Sequence, residues 1–379
     1  MTLTLDILDR LVAFDTVSAN PNSAIIGFIE NFLHTRGTRC TRLPAPQSGK
    51  CGLLAELGPR TGGGIVLSGH TDVVPVAGQN WTRPPFSLTR EGTRLYGRGT
   101  TDMKGFLAAM LSAADAAARQ PLQEPLKLVF SYDEEIGCVG IGEMSGRLRD
   151  LIGTPRACIV GEPTQMQVAT GHKGKVSLQA DCSGQAGHSA LAPQYVNALH
   201  IAVDFVAGLR DIQQELAQNG ATDRAYDIPY STVHVGKLSG GTALNIVPDR
   251  AQIAFEFRHL TADPPADIMA KIDALAARLN APYGAAPRLS VRQINAYPGL
   301  NVAPDSAAAQ LAKAALNTDQ TSCVAFGTEA GFFEAMGIST VVCGPGSMAG
   351  QGHKADEFIE RSALDACDKM LANLISTLT

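Results

Sequence analysis

GIVLSGHTD (64–72) sets the reading of the chain: a short apolar run that would be a strand, ending in a histidine and an acid. Three other segments follow the same plan, LKLVFSYDEE (126–135), RACIVGEPT (156–164) and STVVCGPGS (339–347). Short, nearly continuous apolar runs suit strands buried on both faces. Between the first two lies GFLAAMLSAADAAARQ (105–120), an alanine-rich helix. Strands alternating with helices predict an α/β domain with a mostly parallel sheet and helices on both of its faces.

The middle of the chain has a different character. KVSLQADCSGQ, from Lys175, alternates as a half-exposed strand does. It is followed by a helix (196–217), two strand-like runs (231–240 and 251–260) and a second helix (267–280). This order predicts a small α+β domain with an antiparallel sheet, residues 173–287, inserted into a larger domain made of residues 1–172 and 288–379, with hinges near 173 and 287. A length of 379 residues also favours two domains.

Bulk properties exclude several classes. A net charge of −5 argues against nucleic acid as a partner. No apolar run approaches the roughly 18 residues of a membrane span. The opening MTLTLDILDRLVAF carries Asp6, Asp9 and Arg10 within its apolar periodicity, as an amphipathic helix of the fold does and a signal peptide does not. Eight cysteines without a CxxC pair read as reduced thiols of a cytoplasmic protein, outside any metal site.

In an open parallel sheet, sites form beyond the carboxyl ends of the strands. His70 and Asp72, Glu134 and Glu135, and Glu162 all follow strands there, His353 lies on the loop after the last one, and Asp102 sits in the loop GRGTTDMKG before the alanine-rich helix. Taken singly, each has a plain structural reading. A lone histidine is usually a satisfied structural residue, the reading given to His34, His172, His200, His234 and His259, and a strand-end acid often caps a turn. Together, so many carboxylates at one edge would repel one another severely, and divalent cations relieve that repulsion. Imidazole plus carboxylate without thiolate suits zinc, with cobalt or manganese as alternatives. Charge favours two ions: Asp102, Glu135 and Glu162 with one hydroxide balance them, Asp102 being shared and Glu134 left free as general base.

SGHTDVVPV, GRGTTDMKG, DEE, GEPT, GQAGHSA and GHKADEF occur in the order and spacing of the M20 metallopeptidase and deacylase family, which the chain resembles over nearly its whole length. The resemblance implies a zinc-peptidase-like catalytic domain with an inserted ferredoxin-like lid that also forms a homodimer. By it, His70, Asp102 and Glu162 hold one ion, while Asp102, Glu135 and His353 hold the other. Asp72 orients His70, and Glu134 is the base. By the same resemblance His188, in GQAGHSA, would reach the active site from the neighbouring subunit's lid.

Within the family the chain is most similar to the acetylornithine deacetylase branch, through GQNWTRPPF, LYGRGTTDMKGF, GHKG (171–174), the TEA of Thr328–Ala330 and GPGSMAGQGHKADEF. The implied reaction converts N2-acetyl-L-ornithine to L-ornithine and acetate, a step of arginine biosynthesis. Arg258 would clamp the α-carboxylate, although its FRHL (257–260) departs from the Arg-Pro run of that branch. Asn245 and Thr328 are candidate substrate contacts, and Glu329 is a candidate partner for the side-chain ammonium. Another deacylase or dipeptidase keeps the same chemistry. A metal-free binding protein of this fold is disfavoured because every ligand position is filled. A dinucleotide enzyme is disfavoured because GGGIVLSGH has its glycines before the strand.

Overall fold

A computed structural model describes residues 2–379; Met1, the first residue of the expected N-terminal helix, lies outside them. That helix runs Leu3–Val12. The four apolar runs become adjacent strands, Leu126–Ser131, Ile65–His70, Ala157–Val160 and Thr340–Val342, each parallel to the next. Every residue in them is buried, as a sheet covered on both faces requires. Ser68 pairs with both Val129 and Val160, and Val160 with Val342, so the carboxyl ends open at one edge. The flanks are antiparallel: Cys51–Leu57 and Arg39–Pro44 extend one side, and Ala169–His172 with Leu300–Asn301 extend the other. The sheet is therefore mixed, with a parallel centre.

The alanine-rich helix runs Lys104–Ala117 and buries Phe106, Leu107, Met110 and Leu111 completely. Each such side chain contributes about 1.5–3 kcal/mol of burial. Two strand-end glycines let it approach. A β-carbon at Gly161 would lie 2.0 Å from the Phe106 ring, and one at Gly69 would lie 2.7 Å from Leu107 and Met103. Gly69 precedes His70, Gly161 precedes Glu162, and the helix begins two residues after Asp102. Close packing at these two points sets those three side chains near one another.

The chain divides into two compact units, one extending to His172 and resuming at Leu300, the other Lys173–Gly299. In the second, strands Thr232–Gly240, Arg250–His259, Gly174–Ser183 and Leu289–Tyr297 form an antiparallel sheet in that order. With helices Ala198–Asn219 and Pro265–Asn280 the order is strand–helix–strand–strand–helix–strand, the ferredoxin-like pattern. Burial alternates along Gly174–Ser183 and Arg250–His259, with one face against the helices and the other polar. Phe205 and Phe255 meet edge to face in that core, 5.6 Å apart.

The expected boundary at 287/288 is corrected to 299/300. Residues 289–297 pair with Gly174–Ser183 instead of returning to the first sheet. As an edge strand bearing exposed Arg292 and Gln293, the segment lacks the apolar alternation that marks its neighbours.

Candidate metal centre

Asp102 stands between two histidines. Its Oδ1 lies 3.2 Å from His70 Nε2 and its Oδ2 lies 3.0 Å from His353 Nε2. Glu162 Oε1 is 3.6 Å from His70 Nε2, and Glu135 Oε2 is 2.9 Å from His353 Nε2. The result is two donor triads, His70–Asp102–Glu162 and Asp102–Glu135–His353, with the donor atoms of each within 4.8 Å of one another. His70, Asp102 and Glu162 are buried, whereas the His353 side chain is 49% exposed.

The electrostatics are those of a site built for a cation. Burial pushes the Glu162 carboxyl well above the ordinary range, and Asp102, Glu134 and Glu135 add to the effect against the pull of His70. Glu135 is pushed up to about 8 by burial and by Asp102. Burial disfavours a charged His70, but Glu162, Asp102 and Asp72 outweigh it and hold its pKa well above the usual value. His353 is raised to about 10 by its contacts with Asp102 and Glu135. Asp102 is held low: burial opposes its charge, but the two histidines prevail. Glu135 Oε1 and Glu162 Oε1 are buried without a hydrogen-bond partner among the described residues. Such orphaned oxygens are costly unless something positive meets them. Donor type, convergence and orphaned oxygens all fit a pair of divalent ions.

Asp72 differs in detail from its expected part. His70 Nδ1 lies 3.0 Å from the Asp72 carbonyl oxygen and 3.5 Å from its carboxylate. The carboxylate accepts the Ser18 hydroxyl at 2.7 Å and the backbone N–H groups of Glu134 and Glu135 at 3.1 and 3.3 Å. It therefore holds both the histidine and the turn that carries the two glutamates. Next to that turn, Lys50 pairs with Asp133, a residue at φ 56° in the left-handed region. Glu134 is half-buried, accepts the Cys138 thiol at 3.2 Å, and stands outside both donor triads. Burial, with Asp102, Glu329 and Asp72, raises its pKa to about 7, against the pull of His70.

Thr328 and Glu329, expected as substrate contacts, present no surface: both are 0% exposed. The Thr328 hydroxyl lies 3.1 Å from His172 Nε2 and accepts the Ala330 N–H at 3.0 Å. Glu329 lies beside Ser131 in the wall of the centre, pushed up to about 7 by burial. His172 and His259, read as structural, are buried and partnered.

His188, Asn245 and Arg258 belong to the second unit. His188 and Asn245 are exposed on adjoining loops, joined by the Ser189 N–H to the Asn245 carbonyl at 3.0 Å. His188 Nδ1 accepts the Ala190 N–H at 3.1 Å, which leaves the proton of the neutral ring on Nε2 as a donor. Arg258 lies on the polar face of the sheet, its Nε 2.9 Å from Glu256 Oε1.

Sequence reading missed the residues that support the centre. Ser18 and Lys50 carried no signal. Gln79, Arg98 and Glu357 lie inside motifs already quoted, GQNWTRPPF, GRGTTDMKG and GHKADEF, but nothing local gave them a task.

Residues 66–377 match the profile of peptidase family M20/M25/M40. The acetylornithine deacetylase of Proteus mirabilis is 32% identical over 381 residues, covering 98% of this chain and 95% of that protein. An M20 family metallo-carboxypeptidase from Sulfolobus solfataricus superposes with a TM-score of 0.80 at 20% identity, over 99% of each chain. A dinuclear metal-binding M20 peptidase from Bacillus subtilis gives 0.68 at 17% identity, over 99% of this chain and 97% of that one. No helix among the described residues is long and apolar enough to cross a membrane.

Proposed function

The chain belongs to peptidase family M20/M25/M40 as a metal-dependent hydrolase, and on that premise we propose that it cleaves the amide bond of an N-acyl amino acid, N2-acetyl-L-ornithine first among them. The observation that carries the reading is Asp102 presenting one oxygen to each histidine, so that two ions can share it. His70 and Glu162 would complete one set of ligands, and Glu135 and His353 the other. Two divalent ions, zinc by the donor chemistry with cobalt or manganese as alternatives, supply Lewis acidity that acidifies water and polarises an acyl carbonyl.

The protein's own groups do the rest. A Glu134 carboxylate oxygen takes the proton of the attacking water and returns it to the departing amine. Asp72 holds Glu134 through its backbone N–H, so the base keeps its place as it changes protonation. Arg258 clamps the substrate carboxylate with its planar fork, which Glu256 orients through Nε. Asn245 adds a polar contact, and His188 donates Nε2–H to the carbonyl oxygen as negative charge develops there. In this reading the second unit is a lid that also forms a homodimer, so that His188 serves the partner's site. Support comes from the edge strand Thr232–Gly240 and its following loop, which expose Leu238, Leu244 and Ile246.

Metal content of the purified protein and a panel of acetylornithine, succinyl-diaminopimelate, acetylmethionine and a dipeptide test the reading. Two metal equivalents with preference for acetylornithine are expected. Preference for another amide would move the assignment within the family, and full activity in chelator would end it.

A further inference from the structure

We propose that Glu357 is a positioning residue of the metal centre, tying the loop that carries Asp102 to the loop that carries His353. The inference rests on the two-ion reading above. Glu357 is 1% exposed and is not a member of either donor triad. Its Oε1 accepts the backbone N–H groups of Thr101 at 2.8 Å and Asp102 at 3.1 Å. Its Oε2 accepts the Gly99 N–H at 3.1 Å and Arg98 Nη1 at 2.7 Å. Four donors fill the acceptor sites of one carboxylate, three of them from the peptide groups leading into Asp102. The main chain adds to the seam: the Gly97 N–H donates to the Glu357 carbonyl at 2.9 Å, and the Thr101 hydroxyl to the Phe358 carbonyl at 2.6 Å.

The tie closes into a ring around His353. Arg98, paired with Glu357, also donates to the Gln79 side-chain carbonyl and stacks over Trp81 at 4.9 Å. The Gln79 amide then donates to the His353 carbonyl at 2.9 Å. Thr82 grips the same loop through Asp356, at 2.9 Å from its N–H and 2.7 Å from its hydroxyl. His353 needs such support. It sits at φ 60°, a conformation that a residue with a β-carbon keeps only where its surroundings impose it. His70 and Glu162, by contrast, stand at the ends of central buried strands. The ion held by Asp102, Glu135 and His353 therefore depends on Glu357 and Gln79 more than the ion held by His70, Asp102 and Glu162.

Calorimetric and visible-absorption titration of metal-free protein with Co2+ tests this in the wild type, Glu357→Gln and Gln79→Ala, with circular dichroism as the control for folding. The wild type should take two ions. Folded Gln79→Ala should bind the first within about threefold of wild type and the second at least about tenfold more weakly, the usual penalty for losing a group that orients a ligand. Folded Glu357→Gln, which also loosens the shared Asp102, should weaken both ions, the second by about tenfold more than the first. Should Glu357→Gln fail to fold, Gln79→Ala decides, because it leaves Glu357 and its four donors in place while removing the contact to the His353 carbonyl, together with an acceptor for Arg98 and Trp81. Two ions bound with wild-type affinity, or equal weakening of both, would overturn the proposal. A wild type that binds no ion would instead remove the two-ion reading beneath it.

Discussion

Asp72 Oδ1 accepts the backbone N–H of Glu134 at 3.1 Å, across 62 residues of sequence. The same carboxylate takes the Glu135 N–H and the Ser18 hydroxyl, while the Asp72 carbonyl faces His70 Nδ1. One residue thus orients a ligand of each triad and the proposed base. Asp72→Asn would turn an amide toward peptide N–H groups that need acceptors. Activity should fall by about 10–100-fold, the usual cost of disturbing a group behind a metal ligand. Steady-state kinetics together with metal analysis check this, and wild-type kcat with full metal content would show that Asp72 only fills space.

Glu134 sits beside a ligand yet outside both triads. Glu134→Ala should keep both ions and lose roughly 10²–10⁴ in kcat, the worth of a general acid–base group. Loss of an ion with only mildly reduced turnover per remaining metal would exchange the roles of Glu134 and Glu135.

If His188 acts across a dimer, two dead variants should rescue each other. Mixing His188→Ala with Glu134→Ala under conditions of subunit exchange would give hybrids with one intact site, and about half of the wild-type activity per hybrid. No recovery from a mixture shown to have exchanged would place the histidine in its own subunit's site or nowhere in catalysis.

Lys104 is completely buried, with Nζ donating to the Phe14 carbonyl at 2.7 Å. Burial lowers its pKa from the ordinary 10.5 to about 7, against Glu357, Asp15 and Asp72. Below pH 7 both folded and unfolded states carry the proton, and the full penalty of a buried charge applies. Between about 7 and 10.4 the unfolded state binds more protons, so stability rises with pH. Urea unfolding of metal-free Lys104→Met should lack that component. The wild type should gain on the variant by up to about 1.4 kcal/mol per pH unit between pH 7 and 9. Parallel profiles would mean that Lys104 keeps an ordinary pKa.

The four central strands of the first unit were legible because each is buried on both faces and reads as a short, nearly continuous apolar run. Their polar ends stood out against that background, which is how His70, Glu135 and Glu162 could be named from composition and order alone. Leu289–Tyr297 escaped because an edge strand with exposed Arg292 and Gln293 has no such contrast. Thr328 and Glu329, named as candidate contacts from a resembling motif, are completely buried, which no local pattern announced.

The sequence by itself determined which residue types stand at the strand ends, and with them the donor chemistry, because short apolar strands and their punctuation are local patterns. Only the tertiary structure decided which donors meet. Asp102 reaches His70 across 32 residues and His353 across 251, and Glu357 reaches Thr101 across 256. Hydrogen bonds between segments so far apart leave no periodicity to read. They exist because Gly69 and Gly161 let the Lys104–Ala117 helix press against the sheet, and because one buried carboxylate satisfies the peptide groups leading into Asp102.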